Sequence, residues 1–496
     1  MLKLCGDFFS ELEKESVRYC HWKSNEHLEA GLDGTTDLDI LVDQSSRILF
    51  ESIATAYGFL RFESVSYLRY LDIEDFIGLD SATGILVHLH THWRLRIGKK
   101  FLKDVRLPWD ELLLSIRQKE GSTGIWIARP EIELILLFIR RFLKDRFNPK
   151  SVFTREVFSA DEYREYVWLG ARCDPDKLTL HGSQLVSPVF ADLLKDSTTL
   201  LQKGTYRRMA SQLIRMLRAL PYQTGKPAIP VMEMRYLIRK VAALIQVIAH
   251  KKLHFPVLYR RGLPKGGRII VFVGVDGAGK STILAETFRR FSWKMDTCRI
   301  YFGSGDGKSS LLRAPLKLIA RRRTKQRGDY TATSETDRER STNTKKMRMA
   351  KVIWAILLAS EKKKKFMLAR KARERGLLVL CDRYPQTSFP GLNDGPLLDI
   401  WSKNPSPIKR AIAAWEHRIY ALSRCIVPDL VIRLVIPVGI ALERKKDTPE
   451  YIIRKKADII GALDFAGAPI TDIHTDSALE QSLAECSSAI WKAISL

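Results

Sequence analysis

The stretch RIIVFVGVDGAGKSTIL, residues 268–284, decides the fold of the second half of the chain. The five residues after Arg268 are apolar, as in a strand that is buried on both faces of a parallel sheet. Residues 274–281 match the pattern GxxxxGK[ST], and a helical pattern begins at Ile283. A strand, a glycine-rich loop and a helix in this order predict a phosphate-binding loop. The expected fold class is α/β, with a parallel sheet and helices on both of its faces.

The chemistry of this loop follows from its backbone. Glycines let the chain turn tightly so that N–H groups point at phosphate oxygens, and the start of the next helix adds partial positive charge. We expect Lys280 to reach the β- and γ-phosphates of a nucleoside triphosphate and the Ser281 hydroxyl to bind Mg²⁺. ATP and Mg²⁺ are the predicted cofactors, and the alternative is a glycine loop that binds nothing. The residues expected to bind the nucleotide are Gly274, Asp276, Gly277, Ala278, Gly279, Lys280, Ser281 and Thr282.

Two further strands are predicted downstream of the loop. Residues 376–381 form an apolar run that leads into Asp382 and Arg383. An acid at the carboxyl end of a parallel strand lies where ligands bind, so Asp382 is expected to help hold Mg²⁺. Arg383 is expected to bind a second phosphate through two N–H groups of its guanidinium. The alternative is a surface ion pair at a strand end.

The third strand of this half is predicted at residues 430–436, and a basic helix follows it. Arg444 in that helix, together with the basic run at residues 454–456, could close over the phosphates as a lid. A solvated basic helix face is an equally good interpretation of the same residues.

The loop GxDGxGKST, the strand that ends in Asp-Arg-Tyr, and the Pro-Asp-Leu strand followed by Ala-Leu-Glu-Arg together resemble thymidylate kinase. The resemblance covers about residues 267–496. It implies that Arg383 holds the acceptor phosphate, that Asp276 faces the acceptor, and that Arg444 belongs to a lid. Two segments depart from the family, YFGSGDGK at residues 301–308 and PQTSFPG at residues 385–391. They replace the family's acceptor-binding segments, so we expect an acceptor other than thymidylate.

The first part of the chain carries a different pattern. WKSN at residues 22–25 and GTTDLDILV at residues 34–42 resemble the nucleotidyltransferase fold of the polymerase-beta type. In that fold two carboxylates two positions apart face the same side of a strand and hold Mg²⁺ at a triphosphate. Asp37 and Asp39 have this spacing, and the alternative is a solvent-facing strand edge. No third acid is obvious, so a binding module that has lost catalysis is as compatible with the sequence as an enzyme.

Three histidines lie in the stretch where this family normally has its third carboxylate. His88, His90 and His92 alternate along residues 87–93 and so face one way on a predicted strand. They could bind Zn²⁺ or another transition metal. Same-face positions on a strand lie about 7 Å apart, which favours a polar sheet face over a shared ion.

The predicted organisation has three parts. Residues 1–120 form an α+β nucleotidyltransferase-like domain, residues 121–265 a helical basic middle with a linker, and residues 266–496 the P-loop domain. Within them we expect a strand at residues 36–42, a hairpin at 75–90, a helix that begins at Pro130, and helices at 207–220 and 236–250. These last two are basic and amphipathic, which we interpret as a globular surface rather than a membrane-binding face. Residues 321–346 have almost no apolar side chains and are predicted to be a mobile insertion.

The amino-acid composition indicates which classes of partner the protein favours. The 496 residues include 82 Lys and Arg against 56 Asp and Glu, a net charge of +26. Such a surplus favours anionic partners, namely phosphorylated substrates, nucleic acid or anionic lipid, but no nucleic-acid recognition motif is present. Seven dispersed cysteines, no signal peptide and no apolar run of about 18 residues predict a cytoplasmic protein. The oligomeric state stays open, a homodimer included.

The leading functional hypothesis is ATP-dependent phosphoryl transfer to a phosphorylated or hydroxyl acceptor. One alternative is a nucleotide-regulated binding protein, in which the loop acts as a switch. Another is a bifunctional kinase and nucleotidyltransferase that acts on a cell-surface sugar or lipid precursor.

Overall fold

The computed structural model divides the chain into two compact units. The first comprises Met1–Ile248 with Tyr259–Arg261, and the second comprises Ala249–Leu258 with Gly262–Leu496. The sequence-based division of the first unit near residue 120 stays a prediction. The predicted insertion and most of the rewritten segment at residues 301–308 lie outside the described residues. The structure describes residues 1–145, 158–195, 202–220, 229–253, 255–303, 349–445 and 448–496.

A mixed sheet organises the first unit. Its strand order is β3-β4-β5-β2-β1-β9-β8, and β6 and β7 pair separately as a two-stranded ribbon. Strand β2 pairs parallel with β5 and antiparallel with β1, and β4 and β5 form an antiparallel hairpin. The strands are β1 (Tyr19–His21), β2 (Leu38–Val42), β3 (Leu60–Phe62), β4 (Ile73–Asp80), β5 (Ile85–His92), β6 (Arg96–Ile97), β7 (Val105–Arg106), β8 (Gln118–Lys119) and β9 (Trp126–Ile127).

The alternation of side chains sorts this sheet into two faces. Leu38, Ile40 and Val42 of β2 pack into one apolar core, together with alternate residues of β5 and the first and third helices. The residues between them on β2 and β5 face the other way, which places the predicted acids and histidines on a common face. The predicted strand is confirmed from Leu38 onward, and the predicted hairpin is confirmed, with its turn closed by pairing of Asp80 with Ile85.

A second core in the first unit is mostly helical. It contains Cys20 and Leu41 from the sheet and much of the helix that begins at Pro130 as predicted. The two basic helices are also confirmed, although α10 is longer than the predicted span. The helices are α1 (Lys3–Lys14), α2 (Leu28–Leu32), α3 (Arg47–Ala56), α4 (Asp110–Ile116), α5 (Pro130–Asp145), α6 (Ala160–Gly170), α7 (Pro175–Leu185), α8 (Pro188–Lys195), α9 (Lys203–Ala219) and α10 (Ile229–Lys251), the last of which ends in the second unit.

The second unit contains a five-stranded parallel sheet flanked by helices, which confirms the expected fold class. Its strand order is β11-β12-β10-β13-β14, so β10 lies at the centre. Its strands are β10 (Arg268–Gly274), β11 (Thr297–Tyr301), β12 (Leu378–Asp382), β13 (Leu430–Val435) and β14 (Ile470–His474). Its helices are α11 (Lys280–Ser292), α12 (Met349–Glu374), α13 (Pro407–Tyr420), α14 (Leu422–Cys425), α15 (Val438–Arg444), α16 (Glu450–Ala462) and α17 (Leu479–Ser495).

The structure shows the state of the cysteines and the character of the helices, on which the composition-based prediction of location depends. All seven thiols are free; Cys5, Cys20, Cys381 and Cys486 are buried, whereas Cys425 is exposed. None of the described helices combines the length and the apolar character that a membrane-crossing segment requires.

Candidate functional site

The glycine-rich loop connects the central strand β10 to helix α11, as the sequence predicts. Gly277 and Gly279 have φ values of 90° and 76°, a region that glycine enters without steric cost. A Cβ atom on Gly277 would lie 2.8 Å from the carbonyl oxygen of Ala441 in α15. The loop therefore needs glycine here both for its backbone conformation and for the close approach of α15. Ala278 is a buried residue of the loop, whereas Ser281 and Thr282 are exposed in the first turn of α11.

Lys280 is turned onto the backbone of its own loop. Its Nζ donates hydrogen bonds to the carbonyl oxygens of Gly274, at 2.8 Å, and Val275, at 2.6 Å, and the residue is only 9% exposed. Burial and the neighbouring Arg383 lower the pKa of Lys280 to about 8. A buried ammonium whose hydrogen-bond acceptors are neutral carbonyls is suited to an incoming anion, so this residue fits a phosphate ligand.

Asp276 lies between two cations at the same loop. Its Oδ2 accepts a hydrogen bond of 2.7 Å from Nζ of Lys456 in α16, and its Oδ1 lies 3.4 Å from the Arg383 guanidinium. Burial alone would raise the pKa of Asp276, but the charges of Lys456 and then Arg383 outweigh it and lower the pKa to about 2. Lys456, one of the basic residues predicted to form a lid, thus forms an ion pair with the loop.

Asp382 ends strand β12 at the edge of the sheet that carries the loop. It pairs in register with Phe272 of β10 and Tyr301 of β11, so β11 and β12 end level with each other and β10 extends two residues further. Its side chain is buried, and burial raises its pKa against the opposing charges of Arg383 and Lys280. A carboxylate whose ionised form is disfavoured by burial gains most from a nearby cation, so Asp382 fits the predicted Mg²⁺ ligand.

Arg383 adopts a backbone conformation that is unusual for its residue type. Its φ is 65°, in the left-handed region, while its N–H donates to the carbonyl oxygen of Phe272 at 3.0 Å. Such a conformation costs on the order of 1–3 kcal/mol and persists where the surrounding structure imposes it. The guanidinium lies 3.7 Å from Asp394, in addition to its contact with Asp276. The strained turn therefore directs a positive charge to the loop.

Sequence reasoning missed the residues that hold Arg383 from the other side. Lys362 of α12 is 1% exposed, and its Nζ lies 3.1 Å from Oδ1 of Asp394. Gln386 organises the same segment, because its Nε2 donates to the carbonyl oxygens of Phe389 and Leu392. Lys362 belongs to the run EKKKK at residues 361–365, which reads as a solvated helix face. The segment at residues 385–391 was predicted to shape the acceptor pocket, which stays a prediction.

Arg444 contacts a backbone carbonyl group in the structure. Its guanidinium donates to the carbonyl oxygen of Thr475, at 3.0 Å, just after β14. Arg454, on α16, pairs with Glu450 one turn earlier on the same helix. The predicted closure of these residues over phosphates stays a prediction.

The predicted acids and histidines of the first unit come together on one sheet face. Asp39 pairs in register with His90 across β2 and β5, and its Oδ1 lies 2.9 Å from Nζ of Lys23. Oδ1 of Asp37 lies 2.9 Å from Nδ1 of His88. Burial works against ionisation of Asp39, but the charge of Lys23 and the other nearby cations lowers its pKa. The structure thus brings the two acids to the three histidines, and each acid faces a nitrogen of another side chain.

Asp75 on β4 is the acid that sequence reasoning did not find. Its Oδ1 lies 2.9 Å from Nε2 of His88 and 2.9 Å from Nδ1 of His90. Arg261 donates to both carboxylate oxygens, at 2.9 and 3.1 Å, and Ser64 donates to Oδ2 at 2.8 Å. These partners overcome the effect of burial and hold the pKa of Asp75 well below its usual range. Only the register of β4 against β5, which pairs Asp75 with His90, reveals this acid.

Less than half of the chain is similar to known proteins in each of the following comparisons. No protein-family model matches the chain. In Escherichia coli (strain K12), the uncharacterised ATP-binding protein YghS is 28% identical over 229 residues, 46% of this chain and 94% of that protein. The uncharacterised ATP-binding protein YghR from the same strain is 24% identical over 225 residues, 45% of this chain and 86% of that protein. The thymidylate kinase of Ehrlichia chaffeensis matches 45% of this chain and 99% of its own, with a TM-score of 0.26 and 11% identity.

The contact between Asp276 and Lys456 generates a test by double-mutant cycle. We expect Asp276→Asn and Lys456→Met to be coupled by about 1–3 kcal/mol in the stability of the second unit, because both groups are largely shielded from solvent. The control is the pair Glu450 and Arg454, whose side chains are 51% and 63% exposed and should couple by no more than about 0.5 kcal/mol. Urea denaturation measures both cycles, and equal couplings would contradict the prediction.

Proposed function

We propose that the second unit is a kinase that binds ATP with Mg²⁺ and transfers the γ-phosphoryl group to a phosphorylated or hydroxyl acceptor. The observation that carries the proposal is the convergence of charge at the glycine-rich loop, with Lys280, Arg383 and Lys456 around Asp276. The names of both Escherichia coli relatives, which describe them as ATP-binding, are consistent with it. We assign this activity to the cytoplasm on the strength of the dispersed free cysteines.

Each residue at the loop has a defined task in this proposal. The loop N–H groups and the start of α11 bind the phosphates, and Lys280 moves from its carbonyl partners to neutralise the β- and γ-phosphates. Ser281 and Asp382 would hold Mg²⁺, which would supply charge neutralisation on the transferred group. Arg383 orients the anionic acceptor through its forked guanidinium.

In this proposal, the remaining residues of the site close it over the phosphates and shape the acceptor pocket. Asp276 faces the acceptor and, through Lys456, ties the loop to α16. Arg444 releases the carbonyl oxygen of Thr475 when it serves in the lid. The segment that Gln386 organises shapes an acceptor pocket different from that of thymidylate kinases.

A second proposal concerns the first unit. Asp39 lies on β2 and Asp37 immediately precedes that strand, and the two lie among cations and imidazoles. Two carboxylates directed to one point repel each other unless a cation lies between them, and Mg²⁺ relies on substrate phosphates to complete its ligand shell. We propose that this face binds a nucleoside triphosphate together with a divalent ion, so that the whole chain would be bifunctional.

Lys280→Ala tests the kinase proposal. We expect turnover of ATP to ADP to fall by at least about 100-fold, because one pre-organised charge at the developing transition state is lost. Circular dichroism should show no unfolding, since the residue lies in a loop and the first helical turn. Lys371→Ala, at an exposed position of α12, is the control and should retain full turnover. Unchanged turnover in folded Lys280→Ala would eliminate the kinase, whereas nucleotide-dependent partner binding with slow hydrolysis would favour a switch.

The acceptor is tested by a screen with labelled ATP. Because the segments that line the base pocket in thymidylate kinases differ here, we expect dTMP to be a poor acceptor compared with its use by an ordinary thymidylate kinase. Other nucleoside monophosphates, phosphosugars and sugar alcohols form the rest of the screen. Efficient conversion of dTMP to dTDP by the purified protein would show that the departures at residues 385–391 do not change the acceptor.

The proposed nucleotide site of the first unit is tested by binding stoichiometry. We expect the full chain to bind two molecules of a non-hydrolysable ATP analogue in the presence of Mn²⁺. Asp37→Asn combined with Asp39→Asn should reduce this number to one, because the carboxylates that hold the ion are lost. Isothermal titration calorimetry measures the number of sites, and ATP turnover at the P-loop serves as the control for intact folding. A stoichiometry of one in the unmodified protein would contradict the second proposal.

A further inference from the structure

A set of side chains suited to a transition metal lies on the polar face of the sheet in the first unit. One ligand atom from each of Asp39, His90 and His92 can be chosen so that all three lie within 4.8 Å of one another. The parallel pairing of β2 with β5 places Asp39 opposite His90 and Leu41 opposite His92. The backbone spacing of about 7 Å that argued against a shared ion does not describe the side chains, because the His90 and His92 rings approach to 5.1 Å between centroids.

His92 gives independent evidence that this cluster receives a ligand. The residue is 1% exposed, and its ring packs edge-on against Trp22 with 5.0 Å between centroids. Within the part of the chain that the structure describes, neither ring nitrogen of His92 has a hydrogen-bond partner. A buried polar atom without a partner is destabilising, and native proteins rarely leave one unsatisfied. A metal ion bound to a ring nitrogen would satisfy it.

His90 is oriented in the way that metal-binding histidines usually are. Its Nδ1 lies 2.9 Å from Oδ1 of Asp75, a carboxylate that also accepts hydrogen bonds from Arg261. An Nδ1–H that donates to a carboxylate leaves the lone pair on Nε2, which is the arrangement found behind metal-bound imidazoles. That Nε2 lies 2.7 Å from Nζ of Lys103. The lone pair of His90 therefore already points at a positive charge.

Asp39 repeats this relationship with a second ammonium. Its Oδ1 lies 2.9 Å from Nζ of Lys23, so the carboxylate and the imidazole of His90 each direct an acceptor atom at a cation. Lysine side chains are long and flexible, and they can withdraw when a divalent ion competes for the same acceptors. The two ammonium groups mark the side of the cluster from which a metal would be bound.

From these contacts we propose that Asp39, His90 and His92 bind a divalent transition ion of the zinc class, such as Zn²⁺ or Co²⁺. Two imidazole nitrogens and one carboxylate oxygen match the ligand preference of these ions, whereas Mg²⁺ prefers oxygen alone. Ligand atoms bound to one such ion lie about 3.4 Å apart at metal–ligand distances of about 2.0–2.1 Å, so the side chains need to move by about 1 Å. Three protein ligands leave a coordination position open for water or substrate.

A neighbouring set, formed by Asp75, His88 and His90, is less suited to the ion. Both oxygens of Asp75 accept from the guanidinium of Arg261, which repels an approaching cation. Within this set, Asp75 is the residue that orients His90, through its contact with Nδ1. The inference deepens the nucleotide proposal for this unit by naming the metal class and two nitrogen ligands, but the ion would bind without a nucleotide.

Cobalt titration of the metal-free full chain tests the proposal, because bound Co²⁺ shows visible absorption that reports its ligands. We expect a stoichiometric site from which Zn²⁺ displaces Co²⁺. His92→Gln should weaken Co²⁺ binding by at least about 10-fold, since even loss of a supporting partner of a ligand costs 10–100-fold in affinity. Lys103→Met should strengthen binding, because a competing positive charge is removed.

His88→Gln is the matched control, since it removes an imidazole from the same face of the same strand. We expect its Co²⁺ affinity to stay within about 3-fold of the unmodified protein, and circular dichroism confirms that each variant is folded. No stoichiometric Co²⁺ site, or equal losses in His88→Gln and His92→Gln, would overturn the inference. Loss of Co²⁺ binding in His92→Gln with two nucleotide sites retained supports the metal site separately from the nucleotide proposal. A single nucleotide site in a chain that still binds Co²⁺ would overturn only the nucleotide proposal.

Discussion

The parallel pairing of β10 with β12 on one side and β13 on the other is the constraint on which the second unit depends. Parallel strands end at the same edge of a sheet. The strand pairing alone therefore brings the glycine-rich loop close to the Asp-Arg turn after β12. The strands can pair in this way because they are apolar on both faces and are covered by helices. The positions of Lys280, Asp382 and Arg383 relative to one another follow from this arrangement.

In both units, buried charged side chains are neutralised by oppositely charged side chains close to them. Arg383 lies near two carboxylates, Asp276 and Asp394, and each of these also contacts a lysine, Lys456 or Lys362. In the first unit, Asp75 plays the corresponding part for two histidines and Arg261. Burying charge is costly unless it is paired, so these alternating networks allow many ionic groups to lie below the surface of a strongly basic protein.

The sequence was sufficient where short-range pattern controls structure. The loop pattern, the apolar runs of β10 and β12, and the start of α5 at Pro130 are all confirmed, because periodicity and glycine spacing act within a few residues. It was insufficient where a partner lies far along the chain. Lys362 is one of four consecutive lysines, and the sequence does not show which of them lies on the helix face that other elements cover. Asp75 contacts His90 only because of the register between their strands. The residues of the candidate site were thus predictable from motif, but their supporting partners required tertiary structure.

The pairing of Asp75 with Arg261 has a consequence for how this protein could have been assembled by recombination. The two residues are 186 positions apart, and between Ile248 and Tyr259 the chain passes through residues that belong to the second unit. A gene fragment that encodes residues 1–248 would carry the histidines and their carboxylate without the guanidinium that neutralises it. The first unit is therefore not a contiguous exchangeable module, and lineages that separate the two halves would need to supply a replacement cation for Asp75.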